Sequence, residues 1–464
     1  MIRLFGYYIA KIYLFLGILE VGVFFAAFQV GVGTRFDWTL PDELETTSIW
    51  VVALIFAGVM SAAMVAMGLY QRGVQEREAG FIVRLGIGFL LGAALLTVVF
   101  YTIPTVFVGR GVVAWSLFYS FIGVSIIRTL FARFVSADTR KRRVLVLGAG
   151  INAASIEDLL RTDPGVGFVV AGYIPLPESQ LLVPESKLVM QEGPLLDLAI
   201  DREADEIVVA ADDRRRKLPV DDLIDCKMSG FEVLDLLTFF EKELAIVKID
   251  LLHPSWIFFS SGFHMGVTGL YGKRLFDLAL GSVMLAVGAP IMLLAAAASL
   301  IESRGRDPIL YHQVRVGQNG KLFRLHKFRS MRVDAEADGV ARWASKNDAR
   351  ITAVGAFFRK TRLDELPQVF NVLKGQMSLV GPRPERPEFV ERLGAGIPYY
   401  SERQRVKPGV TGWAQLLYPY GSDEDDAKRK LEFDLYYVKH AGIVLDLMIL
   451  LQTVEVVLLG KGAR

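Results

Sequence analysis

A single cysteine, Cys226, stands in a chain of 464 residues. No internal disulfide framework can form, and no cysteine-based zinc site is available. The five histidines, His253, His264, His312, His326 and His440, show no close metal-ligand spacing. An oxygen-ligated ion such as Mg2+ is the metal chemistry left open. Net charge is scarce too: Lys and Arg number 52 against 50 Asp and Glu, giving +2. That balance argues against a general nucleic-acid binder and moves attention to local basic clusters. Apolar sequence, by contrast, is abundant. Hydrophobic residues make up 52% and mean hydropathy is +0.38, which points to a membrane protein of more than one domain.

Four long apolar runs fill the first section, roughly Tyr7–Val32, Ile49–Tyr70, Phe81–Val108 and Val112–Phe131. Each is near the ~20 residues that a spanning helix needs. The first is too long for a signal peptide, and no small-residue cleavage site follows it. Asp37, Asp42, Glu43 and Glu45 outnumber Arg35 in the loop after the first run. Arg72 and Arg77 mark the loop after the second, and the fourth run leads into Arg133, Arg140, Lys141, Arg142 and Arg143. By the positive-inside rule, residues 1–137 form a four-helix transmembrane bundle with both chain ends in the cytoplasm. Glu20 is ionisable within the first span, so it is expected to face a neighbouring helix.

Residues 138–262 read as an α/β Rossmann-like cytoplasmic domain. Val144-Leu-Val-Leu-Gly148-Ala-Gly150-Ile-Asn-Ala153 is a strand running into Gly-x-Gly-x-x-Ala and then a helical pattern. Gly148 and Gly150 there would permit a tight turn and the approach of a pyrophosphate. Strands at Phe168–Ile174, Glu206–Ala210 and Phe231–Leu236 and a helix at Val220–Met228 continue the alternation. The second strand ends in Tyr173-Ile-Pro-Leu-Pro, without the acid that a dinucleotide site offers the ribose, and no Tyr-x-x-x-Lys pair of a sugar-modifying dehydrogenase or dehydratase follows. The expectation is a regulatory or purely structural domain.

Lys273-Arg274-Leu-Phe-Asp277 then opens an apolar run to Ile301, with Pro290 inside it. About 27 helical residues would reach ~40 Å, enough to cross a ~30 Å core. Yet Lys273 and Arg274 precede the run and Arg304 and Arg306 follow it, which fits entry and exit on one face. Pro290 would bend the helix and leave two halves too short to span. A proline-kinked spanning helix fits the same pattern.

The remainder, within 268–464, reads as a compact α+β domain. Arg315–Lys321 suits a hairpin turn before a strand, Phe323–Met331, that carries Lys327 and Arg329 on one face. Bases two apart on a strand can address one phosphate; an exposed edge strand reads equally well. In Arg359–Gly375, Pro367 suits the first position of a short helix through Val369, Phe370, Val372 and Leu373, with Gly375 as its stop. Asp364 and Glu365 then lie just ahead of that helix start, beside Lys360 and Arg362, with Arg383 in a stiff Gly-Pro-Arg-Pro turn. Alone, an Asp-Glu pair is an ordinary solvated cap; among these bases it suits phosphate and a divalent metal. Lys407-Pro-Gly-Val-Thr-Gly-Trp413 is a second glycine-and-hydroxyl turn, either ordinary or able to cradle a nucleotide. Ala441–Gly460 is apolar but carries Asp446, Gln452 and Glu455, as an interfacial helix would.

Together these segments resemble the bacterial sugar transferase family, the monotopic phosphoglycosyl transferases. Lys273-Arg274-x-x-Asp277, His326-Lys-Phe-Arg-Ser-Met331, Leu363-Asp-Glu-Leu-Pro-Gln368, Asn371-Val-Leu-Lys-Gly375, Ser378-Leu-Val-Gly-Pro-Arg-Pro-Glu385 and Lys407-Pro-Gly-Val-Thr-Gly412 carry the likeness. It covers about Gly269 to the C-terminus, and the upstream domains resemble the large form seen in exopolysaccharide and capsule initiation. The resemblance implies transfer of a sugar 1-phosphate, glucose or galactose rather than an N-acetylated sugar, from a UDP-sugar to undecaprenyl phosphate. UMP is released, and the reaction passes through a covalent phosphosugar intermediate with Mg2+. It makes Asp364 the nucleophile and metal ligand, Glu365 its partner, and Lys327, Arg329, Arg362 and Arg383 phosphate contacts. Gly409, Thr411 and Gly412 would hold the nucleotide. It also implies a re-entrant membrane helix at about 275–301 bent at Pro290, with Ala289 where the family often has serine. The expected location is the bacterial inner membrane, with the catalytic domain on the cytoplasmic face; a homo-oligomer is compatible. Two other classes stay open: a Rossmann-type membrane sensor whose C-terminal part has lost activity, against which the intact Asp364-Glu365 and basic set argue, and a nucleotide-sugar-modifying enzyme, which would need the missing ribose acid and Tyr/Lys pair.

Overall fold

The structure is a computed structural model and describes residues 2–4, 7–9, 11–36, 49–67, 69–70, 78–134, 141–163, 166–177, 180–212, 218–333, 335, 350–418 and 423–458. Two compact units divide the chain, Met1–Leu244 and Ala245–Arg464. The first opens on a short antiparallel hairpin, β1 (Ile2–Leu4) with β2 (Tyr7–Ile9). The first long helix therefore starts at Lys11, later than the apolar run suggests, because Tyr7–Ile9 are good strand formers and pair their backbone instead.

Four helices follow: α1 (Lys11–Phe36), α2 (Ile49–Ala66), α3 (Glu78–Thr102) and α4 (Arg110–Phe134). α3 ends short of the expected Val108 because Pro104 starts a separate turn, Pro104–Val106, and cannot continue the ladder. α1, α3 and α4 are long and apolar enough to cross a membrane. α2, with 18 residues, reaches about 27 Å, close to a bilayer core. Phe24, Phe28, Phe56, Met60 and Met64 form their buried seam. Glu20 is fully buried and faces neighbours as expected: Arg128 Nη2 of α4 donates to it at 2.9 Å and the Tyr70 hydroxyl at 2.5 Å. This is a membrane protein. The orientation residues Asp37, Asp42, Glu43, Glu45, Arg72, Arg77 and Arg140 lie outside the described residues.

The same unit then builds a parallel four-stranded sheet, in the order β4-β3-β5-β6. Its strands are β3 (Arg142–Leu147), β4 (Phe168–Ile174), β5 (Glu206–Val209) and β6 (Glu232–Asp235). Between and after them run α5 (Ile151–Thr162), α6 (Leu195–Asp201), α7 (Val220–Met228) and α8 (Leu236–Leu244). Val144–Leu147 are wholly buried, as an uninterrupted apolar strand in the middle of a doubly wound sheet should be. Cys226 completes the core with Leu145, Ile174 and Ile207.

The second unit begins at Ala245, so residues 245–262, assigned above to the Rossmann-like domain, pack elsewhere. Val247 N donates to Glu432 O at 3.0 Å, and Trp413 Nε1 donates to Ala245 O at 2.9 Å. After α9 (Pro254–Phe259) comes α10 (Val267–Glu302), 36 residues helical through Pro290. The proline removes one hydrogen bond yet does not divide the helix into separate elements. The antiparallel hairpin β7 (Leu310–Val316) and β8 (Leu322–Phe328) turns at Asn319-Gly320, both at positive φ, as a tight hairpin demands. Next come α11 (Ala353–Thr361), a 3-10 turn at Leu363–Gln368, α12 (Val369–Leu373), β9 (Ser378–Val380) and α13 (Pro387–Gly396). β10 (Gly409–Thr411) pairs in parallel with β9, and α14 (Trp413–Leu417), α15 (Glu424–His440) and α16 (Ile443–Leu458) finish the unit.

α16 differs from the interfacial expectation. Asp446 is fully buried and bonded to Lys273 and Tyr437, and Gln452 is also buried. Those polar side chains face the protein, because an ion pair inside the unit satisfies the carboxylate.

Candidate active site

Arg362 decides where the two acids point. It closes α11 in the left-handed conformation, φ +60°, so the chain pivots directly into the 3-10 turn. A non-glycine residue there costs on the order of 1 kcal/mol, a strain that recurs at functional sites. Asp364 and Glu365 consequently lie within the turn, together with Pro367, rather than ahead of a helix starting at Pro367. Pro367 is the fifth of the six residues in that turn, where its missing N–H leaves one bond of the 3-10 ladder unmade.

The two neighbours end in different company. Glu365 Oε1 accepts from Arg383 Nη2 at 3.1 Å and Lys327 Nζ at 3.2 Å, with Arg362 Nη1 at 3.9 Å. Asp364 is only 8% exposed, and its Oδ1 is buried without a hydrogen-bond partner among the described residues. Burial pushes the Glu365 carboxyl up, but Lys327, Arg383 and Arg362 outweigh it and hold the group well below the usual carboxylate range. For Asp364 burial wins: it raises the carboxyl, Glu365 adds to the rise, and the same cations only partly offset it. Burial lowers Lys327 despite Glu365, whereas Glu365 raises Arg383 above its ordinary value. Adjacent acids driven apart in this way are suited to separate roles. One anchors cations; the other keeps an unbonded oxygen.

Lys327 reaches the site because β8 runs beside the turn. Asn371, fully buried, braces that approach: its Oδ1 accepts from His326 N at 3.1 Å and its Nδ2 donates to Arg324 O at 2.7 Å. Arg383 is held twice, by Gln415 Oε1 accepting from Nη1 at 3.1 Å and by Arg403 Nη2 donating to its carbonyl at 3.0 Å. Sequence reasoning missed Gln415, Arg403 and the brace role of Asn371. Gln415 stands two residues past Trp413 in a segment whose pattern is simply helical, so no spacing marks it.

Comparison with known proteins decides the family. The bacterial sugar transferase family model matches residues 268–460, a span that contains every residue at these carboxylates. The UDP-glucose:undecaprenyl-phosphate glucose-1-phosphate transferase of Klebsiella pneumoniae is 35% identical over 346 residues, covering 73% of this chain and 72% of that protein. This chain belongs to the bacterial sugar transferase family. Its relative of the same description in Escherichia coli K12 is 33% identical, over 70% of this chain and 69% of its own. The UDP-N-acetylgalactosamine-undecaprenyl-phosphate N-acetylgalactosaminephosphotransferase of Aeromonas hydrophila is 39% identical over 52% of this chain; the match spans about half that protein, 55% of it.

In this sugar transferase the other site candidates bond to groups other than the two carboxylates. Arg329 lies past the end of β8, so the strand does not put it on one face with Lys327. Its guanidinium donates to Pro308 O and Met331 O and pairs with Asp307. Gly409 and Gly412 are where two backbones touch: a Cβ on either would lie 2.0 Å from Gly381 N or 2.2 Å from Gly381 O. The Thr411 hydroxyl bonds that of Thr453 at 2.8 Å. This turn thus clamps the Gly381-Pro-Arg383 loop rather than opening a cradle. The Lys273-Arg274-x-x-Asp277 motif docks α10: Arg274 donates to Val372 O and Leu373 O at 2.7 Å, and Asp277 accepts from Ser378 Oγ at 2.9 Å. In the Rossmann-like sheet, Gly148 (φ +131°) packs on Ala210 O. At Gly150 the helix start already holds an anion: Asp212 accepts from Ile151 N at 3.1 Å and Asn152 N at 2.8 Å. A protein carboxylate occupies the N–H groups that a pyrophosphate would need.

Proposed function

We propose that this sugar transferase moves a hexose 1-phosphate from a UDP-sugar to undecaprenyl phosphate, releasing UMP, by way of a phosphosugar intermediate on Asp364, and so begins assembly of a surface polysaccharide. The observation that carries the mechanism is the buried Asp364 oxygen without a partner among the described residues, set beside a Glu365 that gathers Lys327, Arg362 and Arg383. In the first step the Asp364 carboxylate attacks the sugar-bearing phosphorus. The bond from that phosphorus to the bridging oxygen breaks and UMP leaves with the electron pair. In the second step an undecaprenyl phosphate oxygen attacks the same phosphorus and returns the carboxylate. Attack by one anion on another needs the phosphate oxygens neutralised, and Lys327, Arg362 and Arg383 supply fixed positive charge for that. Names of the relatives support the substrate classes.

Mg2+ fits the donors present. Asp364 offers an unbonded anionic oxygen next to a second carboxylate, and hard oxygen ligands suit the ion. No group of three or more His, Cys, Asp or Glu gathers among the described residues, so in this reading substrate phosphates would supply the remaining ligands. When bound it would neutralise phosphate charge.

The same reading makes α10 re-entrant and puts the catalytic unit on the cytoplasmic face of the bacterial inner membrane. Support comes from its packing. Its first turns bond β9 and α12 through Asp277 and Arg274, while Glu302 at its far end accepts from Val354 N at 2.8 Å and Ala295 packs on Phe328 and Phe358. Both ends touch one polar unit, whereas a helix crossing the bilayer would deliver them to opposite sides.

The test is trapping. Full-length protein with radiolabelled UDP-sugar and no lipid acceptor should release UMP and gain a hexose-phosphate mass on the Asp364 peptide. UDP-glucose, UDP-galactose and UDP-N-acetylgalactosamine form the panel. Absence of acceptor-independent UMP and of any adduct would replace the covalent route with direct attack by the lipid.

A further inference from the structure

The short helix ahead of α10 presents two phenylalanines that no described residue covers: Phe258 is 78% and Phe259 is 89% exposed. Their helix is pinned to the fold by three contacts. Trp256, on the same helix, lies 3.9 Å from the Lys439 ammonium at its ring centroid, and its ring meets Phe263 edge-on. Phe263 N donates to Lys439 O at 3.1 Å. Gly262, at φ +115°, has no room for a side chain, since a Cβ would sit 2.6 Å from that carbonyl. The end of α15 therefore fixes α9.

A few residues on, α16 begins at Ile443, whose Cδ1 would be 3.2 Å from a Cβ on Gly272 of α10. The α9 loop, the first turns of α10 and the first turn of α16 thus meet at one corner. Leu270, Tyr271, Ile443 and Leu447 are exposed around it. Lys439 is buried under the indole, so its charge does not interrupt the apolar surface.

We infer that this corner is a lipid-interface anchor, in which α9 lies at the headgroup boundary and inserts Phe258 and Phe259. The patch continues α10, which is apolar enough to enter a bilayer, and aromatic rings favour the boundary between lipid and water. A second copy of the chain is the alternative occupant, which cross-linking through the same patch would reveal. With α9 fixed to the end of α15, the anchor sets the height of the catalytic unit over the bilayer surface.

The test uses full-length protein in phosphatidylcholine nanodiscs, in a Cys226→Ser background, and its first arm does not depend on the proposed reaction. An environment-sensitive fluorophore is placed at Phe259→Cys and, as control, at Met228→Cys on α7, where Met228 is exposed. Nitroxide lipids labelled near the headgroup should quench the fluorophore at 259 strongly, lipids labelled deep in the chain less, and neither should quench at 228. Equal quenching at the two positions, or cross-linking of two copies through 259 without quenching, overturns the anchor. In a second arm, Phe258→Ala with Phe259→Ala should lower kcat/KM for the lipid acceptor about fivefold in nanodiscs and leave it unchanged in detergent. An equal loss in both media, or none in nanodiscs, also overturns it.

Discussion

Lys327 and Glu365 meet at 3.2 Å, 38 positions apart in the chain. The pair exists because Asn371 stitches β8 to α12, and it turns one of two adjacent acids into a cation anchor while leaving the other oxygen open.

Neutralising Asp364 removes the nucleophile without changing its size. Asp364→Asn should lower turnover by about 10³-fold or more and abolish the phosphosugar adduct. Glu365→Gln should lower turnover about 10²-fold through three cations left without their anion, yet still form a detectable adduct on Asp364. Quench-flow with labelled UDP-sugar separates the two. An adduct on residue 365 would reverse the roles.

The pH profile should carry the same asymmetry. Asp364 must be ionised to attack and its carboxyl is raised, so the acid limb of kcat/KM should lie above the ordinary aspartate value near ~3.9. Because Glu365 contributes to that rise, Glu365→Gln should move the limb to lower pH; an unmoved limb would sink the argument.

Stability should respond to the depressed Glu365 carboxyl in the opposite sense. A carboxyl depressed by folding contributes stability above its unfolded pKa of ~4.3 and loses it as pH falls toward the folded value. The melting-temperature gap between wild type and Glu365→Gln should be widest near neutral pH and shrink below about pH 4. A gap that widens on acidification would contradict the cation-anchor role.

Gln415 should matter through Arg383. Gln415→Ala lets the guanidinium swing from Glu365, so kcat/KM should fall roughly tenfold with the fold intact by circular dichroism. Arg383→Lys keeps the charge but cannot reach Gln415 and Glu365 together, and should be worse. Wild-type kinetics in Gln415→Ala would remove it from the site.

Asp212 should exclude dinucleotides from the Rossmann-like sheet. Calorimetry of the full chain with NAD should give no saturable heat, and Asp212→Ala should cost about 1 kcal/mol of stability through the lost helix cap. Saturable NAD binding by wild type would show that the carboxylate yields to a phosphate.

Much of this protein was written locally. The four apolar helices follow from runs of apolar residues, the parallel sheet from uninterrupted buried strands such as Val144–Leu147, and the hairpin from Asn319-Gly320. Those signals are legible because helix, strand and turn preferences act over a few residues. Asp364, Glu365, Lys327, Arg362 and Arg383 could also be nominated, since their residue types in that crowding imply phosphate chemistry. Only the tertiary structure assigned them unlike tasks, because burial and the reach of each cation depend on packing between distant segments. It sent Arg329 to Asp307, Asp446 to Lys273 and the Gly409–Gly412 turn to the back of the Arg383 loop. It also supplied Gln415 and placed Asp212 across the glycine turn, since partners far apart in the chain leave no periodicity to read.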